Sequence, residues 1–183
     1  FVGNPGVPGL AYVDVDHAHS AATATRHLLD RGATVIGTVT GPMDMSAGVE
    51  RLRGFQQAMA QAGRSGHLIA EGDFTFAGGE AAAFDLLSHH PQIDALFVAS
   101  DLMASGAIRG AERLGRRVPD DLLLVGFDDS AIATQSIPKL TTMENRPDVL
   151  ARTAGQMLLD KLNGREPESP VILPSGLIIR ESA

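Results

Sequence analysis

Residues 94–129 read DALFVASDLMASGAIRGAERLGRRVPDDLLLVGFDD, which predicts a buried strand, a helix and a second buried strand. The strand segments 95–99 and 122–127 are unbroken apolar runs, as is typical of parallel strands that helices cover on both faces. An acidic residue follows each strand, Asp101 after the first and Asp128 after the second. Ligands of open α/β sheets bind at the carboxyl ends of the strands, so both acids lie where a binding site is expected.

The rest of the chain repeats this alternation at intervals of roughly 30 residues, which predicts an α/β fold with a doubly wound parallel sheet and right-handed crossovers. Further strands are expected at 11–16, 35–40 and 68–72. After Asp129 the pattern changes to an extended piece, an amphipathic helix and two short strands, at 138–142, 147–162, 171–174 and 177–180. The segments outside the regular alternation suggest part of a second lobe.

Composition excludes several classes of protein. The net charge of −7 argues against direct binding to nucleic acid phosphates, which requires a concentrated positive surface. The absence of cysteine excludes disulfides, thiolate catalysis and the usual structural zinc sites. No run approaches the roughly 20 apolar residues that span a bilayer, so no membrane partner is expected. The chain begins at Phe1 without a methionine and reads like the middle of a strand, so residues upstream are expected.

The sequence carries none of the common catalytic motifs. It has no G-x-S-x-G elbow, no phosphate-binding G-x-x-x-x-G-K-[ST] loop, no G-x-G-x-x-G and no H-E-x-x-H. His17 and His19 stand two apart at a predicted helix start, where solvated residues are more common than metal ligands. We therefore predict no catalytic residues, no metal and no cofactor, with a small α/β hydrolase as a remote alternative.

Several residue types at the predicted sheet edge suit a polar ligand. Asp128 is the strongest candidate acceptor, whereas Asp101 is equally well explained as a helix N-cap. Arg51 could donate a rigid fork of N–H groups, and Phe74 could cover an apolar ring face, although an exposed helical arginine is the simpler reading of Arg51. Such a cleft would suit a sugar, a polyol or a nucleoside.

Strings along nearly the whole chain, in order, resemble the effector-binding core of the lactose-repressor (LacI/GalR) family of bacterial transcription regulators. The strings are VDVD at 13–16, HLLDRG at 27–32, GP at 41–42, RLRGF at 51–55, SDLMASGA at 100–107, VPDD at 118–121, VGFDD at 125–129, PKLTT at 138–142 and LPSGLIIRES at 173–182. Each string is weak by itself, but the ordered set is specific.

The resemblance implies a periplasmic-binding-protein-like fold of type I, with a ligand cleft between two lobes. It assigns residues 1–16 to a remnant of the amino-terminal lobe and crossover, 17–141 to the carboxyl-terminal lobe, and 142–183 to the crossover, an amino-terminal-lobe helix and the terminal strands. By position it implies a set of ligand-contacting residues, namely Arg51, Phe74, Ser100, Asp101, Asp128 and Asn145. Ser100 replaces the family's usual Asn, and a single hydroxyl cannot make the paired contacts of an amide, which argues against a standard hexose.

The resemblance also implies a function and partners. The chain is expected to be the effector-sensing domain of a cytoplasmic regulator whose operator DNA is bound by a helix-turn-helix headpiece that lies upstream. A homodimer is expected, with an interface on the helix after Ser100, at Met103, Ala104, Ala107, Ile108 and Ala111, although ordinary core packing explains these apolar residues equally well. The main alternative is a secreted sugar-binding protein of a transporter, which shares the fold and the cleft.

Overall fold

A computed structural model describes all residues, 1–183, and consists of eight strands and six helices. In chain order these are β1 Val13–Val15, α1 His17–Asp30, β2 Ile36–Thr40, α2 Ser46–Gln61, β3 Ile69–Glu71, α3 Phe76–His89, β4 Ala95–Val98, α4 Asp101–Arg113, β5 Leu123–Asp128, α5 Ala131–Gln135, β6 Thr141–Glu144, α6 Pro147–Leu162, β7 Val171–Leu173 and β8 Leu177–Ile178. None of the helices combines the length and the apolar character that crossing a bilayer requires.

Six strands form one sheet in the order β3-β2-β4-β5-β6-β8. All neighbours are parallel except β8, which runs antiparallel to β6. The strand order is not the chain order, so helical crossovers connect the strands, and the prediction of a doubly wound parallel sheet is confirmed.

Alternate residues of the central strands face two separate cores. Leu96 and Val98 of β4 belong to a cluster of 19 buried residues shared with α3, α4 and α5. Phe97 of the same strand belongs to a second cluster of 17 buried residues, shared with α1, α2 and α6. Helices therefore cover both faces of the sheet, which explains the unbroken apolar runs in the sequence.

Small residues let α4 pack closely against α3. A Cβ added to Gly106 would lie 2.1 Å from the carbonyl oxygen of Phe76, and one added to Gly79 would lie 2.3 Å from that of Met103. The apolar residues of the same face of α4 are buried in the core, at 6% exposure or less: Met103, Ala104, Ala107, Ile108 and Ala111. In this structure α3 and the sheet cover these five residues, and their assignment to a dimer interface stays a prediction.

A second, smaller sheet lies apart from the first. It consists of the parallel strands β1 and β7, with α6 packed beside β1. The chain passes between the two sheets through three short links: Asp16, residues 145–146 before α6, and residues 174–176. The boundary expected after residue 141 falls within β6, and both β6 and β8 pair in the large sheet. The assignment of the two sheets to two lobes stays a prediction.

Candidate functional site

Four of the residues predicted from the sequence meet at the carboxyl edge of the large sheet. Asp128 is the last residue of β5, and Asn145 follows the end of the neighbouring β6. Arg51 reaches the same edge from the second turn of α2, and Phe74 reaches it from the loop after β3. The carboxyl ends of parallel strands thus bring together groups separated by up to 94 positions in the chain (145 − 51).

Arg51 is the centre of this group and is only 4% exposed. Its guanidinium carbon lies 3.6 Å from the ring centroid of Phe127 and 5.9 Å from that of Phe74. One Nη1–H donates to the carbonyl oxygen of Ala99 at the end of β4, and Nη2 lies 3.6 Å from Oδ1 of Asp128. The guanidinium is therefore held in one orientation, with Nη2 free of hydrogen bonds from the chain.

The arginine and the carboxylate influence each other's ionisation. Burial lowers the pKa of Arg51, and the nearby negative charges, Asp128 foremost, oppose that shift. Burial also raises the pKa of Asp128, while Arg51 and a hydrogen bond from the Asn145 amide, at 3.2 Å, oppose that rise. Nη2 of Arg51 and Oδ2 of Asp128 have no hydrogen-bond partner in the chain.

Strained backbone surrounds the same group. The structure has four non-glycine residues in the left-handed region: Phe74 at φ 63°, Asp128 at 113°, Asp129 at 49° and Arg146 at 51°. Each belongs to this edge of the sheet or adjoins Asn145. Such conformations cost about 1 to 3 kcal/mol each and concentrate at ligand sites, where they aim side chains.

Phe74 is positioned by a glycine. A Cβ on Gly41 would lie 2.1 Å from the ring of Phe74, so the ring rests directly on the backbone after β2. The backbone N–H of Phe74 also faces Sδ of Met103, at 3.3 Å. The ring is thus fixed at the carboxyl edge of the sheet, near the guanidinium of Arg51.

The structure gives other roles to Ser100 and Asp101. Asp101 is 0% exposed, and its two carboxylate oxygens accept hydrogen bonds from Thr142 Oγ1 at 2.6 Å and from the Ser130 N–H at 2.7 Å. Ser100, 4% exposed, is the N-cap of α4, and its hydroxyl accepts from the Met103 N–H. Both side chains are therefore engaged by the chain in this structure, and their contact with a ligand stays a prediction.

Sequence reasoning missed two polar residues of the site. His17, expected to be solvated, is 8% exposed and hydrogen-bonds to both Arg51 and Asp14. The sequence did contain a signal for the contact between them, because Asp14 and His17 are three positions apart across a strand-to-helix junction. Asp14 and His17 also line a cavity of about 220 Å³, with Asn4, Tyr12, Val15, Asp16, Ser46, Glu50 and Ile172. The structure brings no three His, Asp or Glu side chains together as a metal-binding group.

Comparisons with known proteins agree with this architecture. A family model of the periplasmic binding protein-like domain matches residues 25–183. The HTH-type transcriptional regulator CelR of Thermobifida fusca is 41% identical over 183 residues, covering 97% of this chain and 54% of that protein. The chain spans about half the length of the curated relatives that it matches.

Two solved structures show how far the likeness extends in three dimensions. A complex of the transcriptional regulator CelR with cellobiose superposes with a TM-score of 0.94 at 40% identity, covering 100% of this chain and 57% of that chain. The lac repressor dimer bound to operator and an anti-inducer has a TM-score of 0.88 at 27% identity, covering 93% of this chain and 52% of that chain. The chain therefore belongs to the periplasmic binding protein-like domain family, and within it to the LacI/GalR effector-binding type.

Proposed function

We propose that the chain is the effector-sensing domain of a LacI-type transcriptional regulator, which binds a small polar ligand at the crevice of Arg51, Phe74, Asp128 and Asn145. The observation that carries the proposal is the Arg51–Asp128 pair at the sheet edge, in which Nη2 of Arg51 and Oδ2 of Asp128 have no hydrogen-bond partner in the chain. A donor and an acceptor that lie side by side without partners in the chain are available to a polar ligand.

The chemistry of the crevice favours a hydroxyl-rich ligand. A carboxylate accepts hydrogen bonds from hydroxyl groups, a guanidinium donates to hydroxyl or ring oxygens, and the Phe74 ring suits an apolar sugar or base face. The CelR structure at 40% identity is described as a complex with cellobiose, which makes cellobiose the first compound to test. A sugar, a polyol or a nucleoside would each satisfy these groups.

Ligand binding would act on the arrangement of the two sheets. Asn145 and Arg146 form one of the links to the small sheet, and Asn145 donates to Asp128 in the crevice. A ligand that fits one arrangement better shifts the population toward it by its differential affinity, typically about 1 to 3 kcal/mol. In the whole regulator this shift would alter operator binding by a headpiece outside these residues, since the acidity of this domain disfavours direct contact with DNA.

A homodimer would use the exposed side of α4 instead of its buried side. Phe76 and Leu102 are each 38% exposed and Ile137 is 89% exposed, and Phe76 and Ile137 line a shallow cavity with Ser105 and Arg109. The lac repressor structure is described as a dimer. Ile137→Asp is expected to weaken self-association in sedimentation measurements without lowering the melting temperature.

The relatives favour a regulator over the two alternatives. CelR and the lac repressor are named as transcriptional regulators, and neither name describes a transport receptor or an enzyme. We therefore place the protein in the cytoplasm, where operator DNA is found, and assign it no catalytic activity.

Titration calorimetry of the full chain with cellobiose, glucose, glycerol and adenosine tests the proposal. At least one compound is expected to bind, and Arg51→Lys and Asp128→Asn are expected to weaken it roughly 10- to 100-fold, because each removes a charge-assisted hydrogen bond. The matched controls are Arg53→Lys, an exposed arginine of the same helix, and Asp120→Asn, an exposed acid at the opposite edge of the sheet. Equal losses in the controls, or binding by none of the four compounds, would contradict the proposal.

A further inference from the structure

His17 connects the arginine of the crevice to the small sheet. Its Nε2 lies 3.1 Å from Oδ1 of Asp14 on β1, and its Nδ1 accepts a hydrogen bond from Nε–H of Arg51 at 3.3 Å. The ring also packs against Phe127, with the ring centroids 5.8 Å apart. All three members of the Asp14–His17–Arg51 chain are buried, at 6%, 8% and 4% exposure.

Asp14 is itself fixed by backbone groups. Its Oδ2 accepts from the Asn4 N–H and its Oδ1 from the Val15 N–H, each at 2.9 Å. Burial acts to raise the pKa of Asp14, but its contacts with His17 and the two backbone donors outweigh that effect, so this pKa lies below its ordinary value. An ionised carboxylate therefore anchors the chain on β1.

The partners dictate where the proton of His17 lies. A guanidinium has only donors, so the nitrogen facing Arg51 must accept, and Nδ1 carries no proton. Nε2 then carries the proton and directs it at the carboxylate of Asp14. The neutral Nε2–H form satisfies both neighbours, whereas a ring with a proton on Nδ1 would direct that N–H group at the Nε–H of Arg51.

We infer that His17 is a positioning residue of the effector site, which orients Arg51 through a hydrogen-bond chain anchored at Asp14; the inference rests on the proposed function. Together with the bond to the Ala99 carbonyl, the bond to His17 fixes the plane of the guanidinium and points Nη2 toward Asp128. A side chain that is held before binding loses less freedom when the ligand arrives.

The same chain joins the two sheets at the site. Asp14 pairs with Ile172 in the small sheet, while Arg51 lies on a helix that packs on the large sheet. A change in the position of β1 would therefore move Asp14 away from His17, which stays with Arg51 through the packing of α1 on α2, and would remove the anchor that orients the His17 ring. His17 thus makes the ligand affinity of the large-sheet site depend on where the small sheet lies.

Nitrogen-15 NMR of the labelled full chain measures the chain of hydrogen bonds directly. The Nε–H signal of Arg51, assigned by its loss in Arg51→Lys, is expected to exchange slowly with solvent in the wild type. His17→Phe keeps the ring but removes the acceptor, and should speed that exchange roughly ten-fold or more. His17→Gln restores a donor and an acceptor and should return exchange close to the wild-type rate. His19→Phe, an exposed histidine in the same helical turn, is the matched control.

Affinity for cellobiose provides the second readout. His17→Phe is expected to weaken binding roughly ten-fold, the usual scale for removing a group that orients a ligand-contacting residue, and His17→Gln should recover most of it. In a double-mutant cycle, His17→Phe should cause no further loss once Arg51 is replaced by lysine, because its effect passes through Arg51.

The results of these measurements distinguish failure of the positioning role of His17 from failure of the proposed effector. Unchanged Arg51 exchange in His17→Phe, or unchanged cellobiose affinity, would overturn the inference. If no compound binds the wild type while Arg51 exchange responds as expected, the proposed effector fails and the positioning of Arg51 by His17 stands. If melting shows that His17→Phe does not fold, Asp14→Asn takes its place, and slow Arg51 exchange in that variant would equally refute the role of the anchor.

Discussion

Asp101 and Asp128 lie at neighbouring strand ends, but their surroundings differ. Asp101 is completely buried, and hydrogen bonds from Thr142 and Ser130 occupy both of its carboxylate oxygens. The side chain of Asp128 is 30% exposed, and its contacts with Arg51 and Asn145 use one oxygen, which leaves the other without a partner. Asp101 therefore ties the chain to itself, whereas Asp128 has bonding capacity to offer a ligand.

The comparison shows that position at a strand end does not assign a role. Both acids follow apolar strands, and the rule for open sheets directs attention to both. The two acids differ in the hydrogen-bond donors that the chain brings to them. For Asp101, β6 brings the Thr142 hydroxyl, 41 positions away. An acid whose lone pairs are filled by its own chain is structural, and one that keeps a free oxygen beside a cation is a candidate for binding.

Removing the Asp101 carboxylate should have the largest effect on stability. Asp101→Ala leaves a buried donor, the Thr142 hydroxyl, and a partly buried donor, the Ser130 N–H, without acceptors, which costs about 1 to 3 kcal/mol each, so the free energy of unfolding should fall by about 3 to 4 kcal/mol. Asp101→Asn is the control, since the amide can accept from Ser130 and donate to Thr142. Urea unfolding measures both variants, and equal stability of Asp101→Ala and the wild type would refute the structural role.

The pH dependence of stability should separate the same pair of acids. Burial raises the pKa of Asp101 to about 6 from the ordinary 3.8, despite the opposing hydrogen bonds. The folded state then binds a proton more readily than the unfolded state, so this group's contribution to stability falls as pH rises from about 4 to about 6, by at most about 3 kcal/mol.

Urea midpoints of the wild type and Asp101→Asn, measured between pH 4 and 7, check this slope. The wild type should lose stability relative to the variant over that interval, because the amide does not titrate. A difference that stays constant with pH would show that Asp101 does not titrate in this range.

Replacing the donor of Asp101 should cost less than replacing the acceptor. Thr142→Val preserves the buried shape but removes the hydroxyl that donates to Asp101, so the free energy of unfolding should fall by about 1 to 2 kcal/mol. Thr134→Val, at an exposed threonine of α5, is the control. Equal effects of the two substitutions in urea unfolding would count against a special contribution from Thr142.

Asp128 should contribute least to stability. Asp128→Asn keeps an oxygen near Arg51 and removes a partly buried charge, and the free energy of unfolding should change by less than about 1 kcal/mol. Ligand affinity should nevertheless fall, as proposed above. A large loss of stability with unchanged affinity would reverse the roles assigned to the two acids.

The strands and helices were predicted well because each depends on the pattern of apolar residues within one short segment. Unbroken apolar runs identify buried parallel strands, and Arg51, Phe74 and Asp128, chosen for their residue types, do meet at the sheet edge. Asn145 joins them, but only the family resemblance implied it. The capping of α4 was harder to assign, because Ser100 and Asp101 are adjacent and either residue type can cap.

Long-range partners explain what the sequence did not reveal. The burial of His17 depends on Arg51, 34 positions later, and on the packing of α1 against α2, in which a Cβ on Gly54 would lie 2.1 Å from the carbonyl oxygen of Ala18. The small residues of α4 were assigned to a dimer because close approach is needed in both settings. Composition cannot distinguish a helix of the same chain from a helix of a partner.

The three links between the sheets have a mechanical consequence. The strands that flank them are paired, β1 with β7 on one side and β6 with β8 on the other, and the Glu144 N–H donates to the Gly176 carbonyl where two links leave the large sheet. Three short segments fastened side by side resist sliding and stretching more than bending. We therefore expect relative motion of the two sheets to be mainly a tilt, so that a displacement of a fraction of an ångström at the crevice would grow with distance from these links.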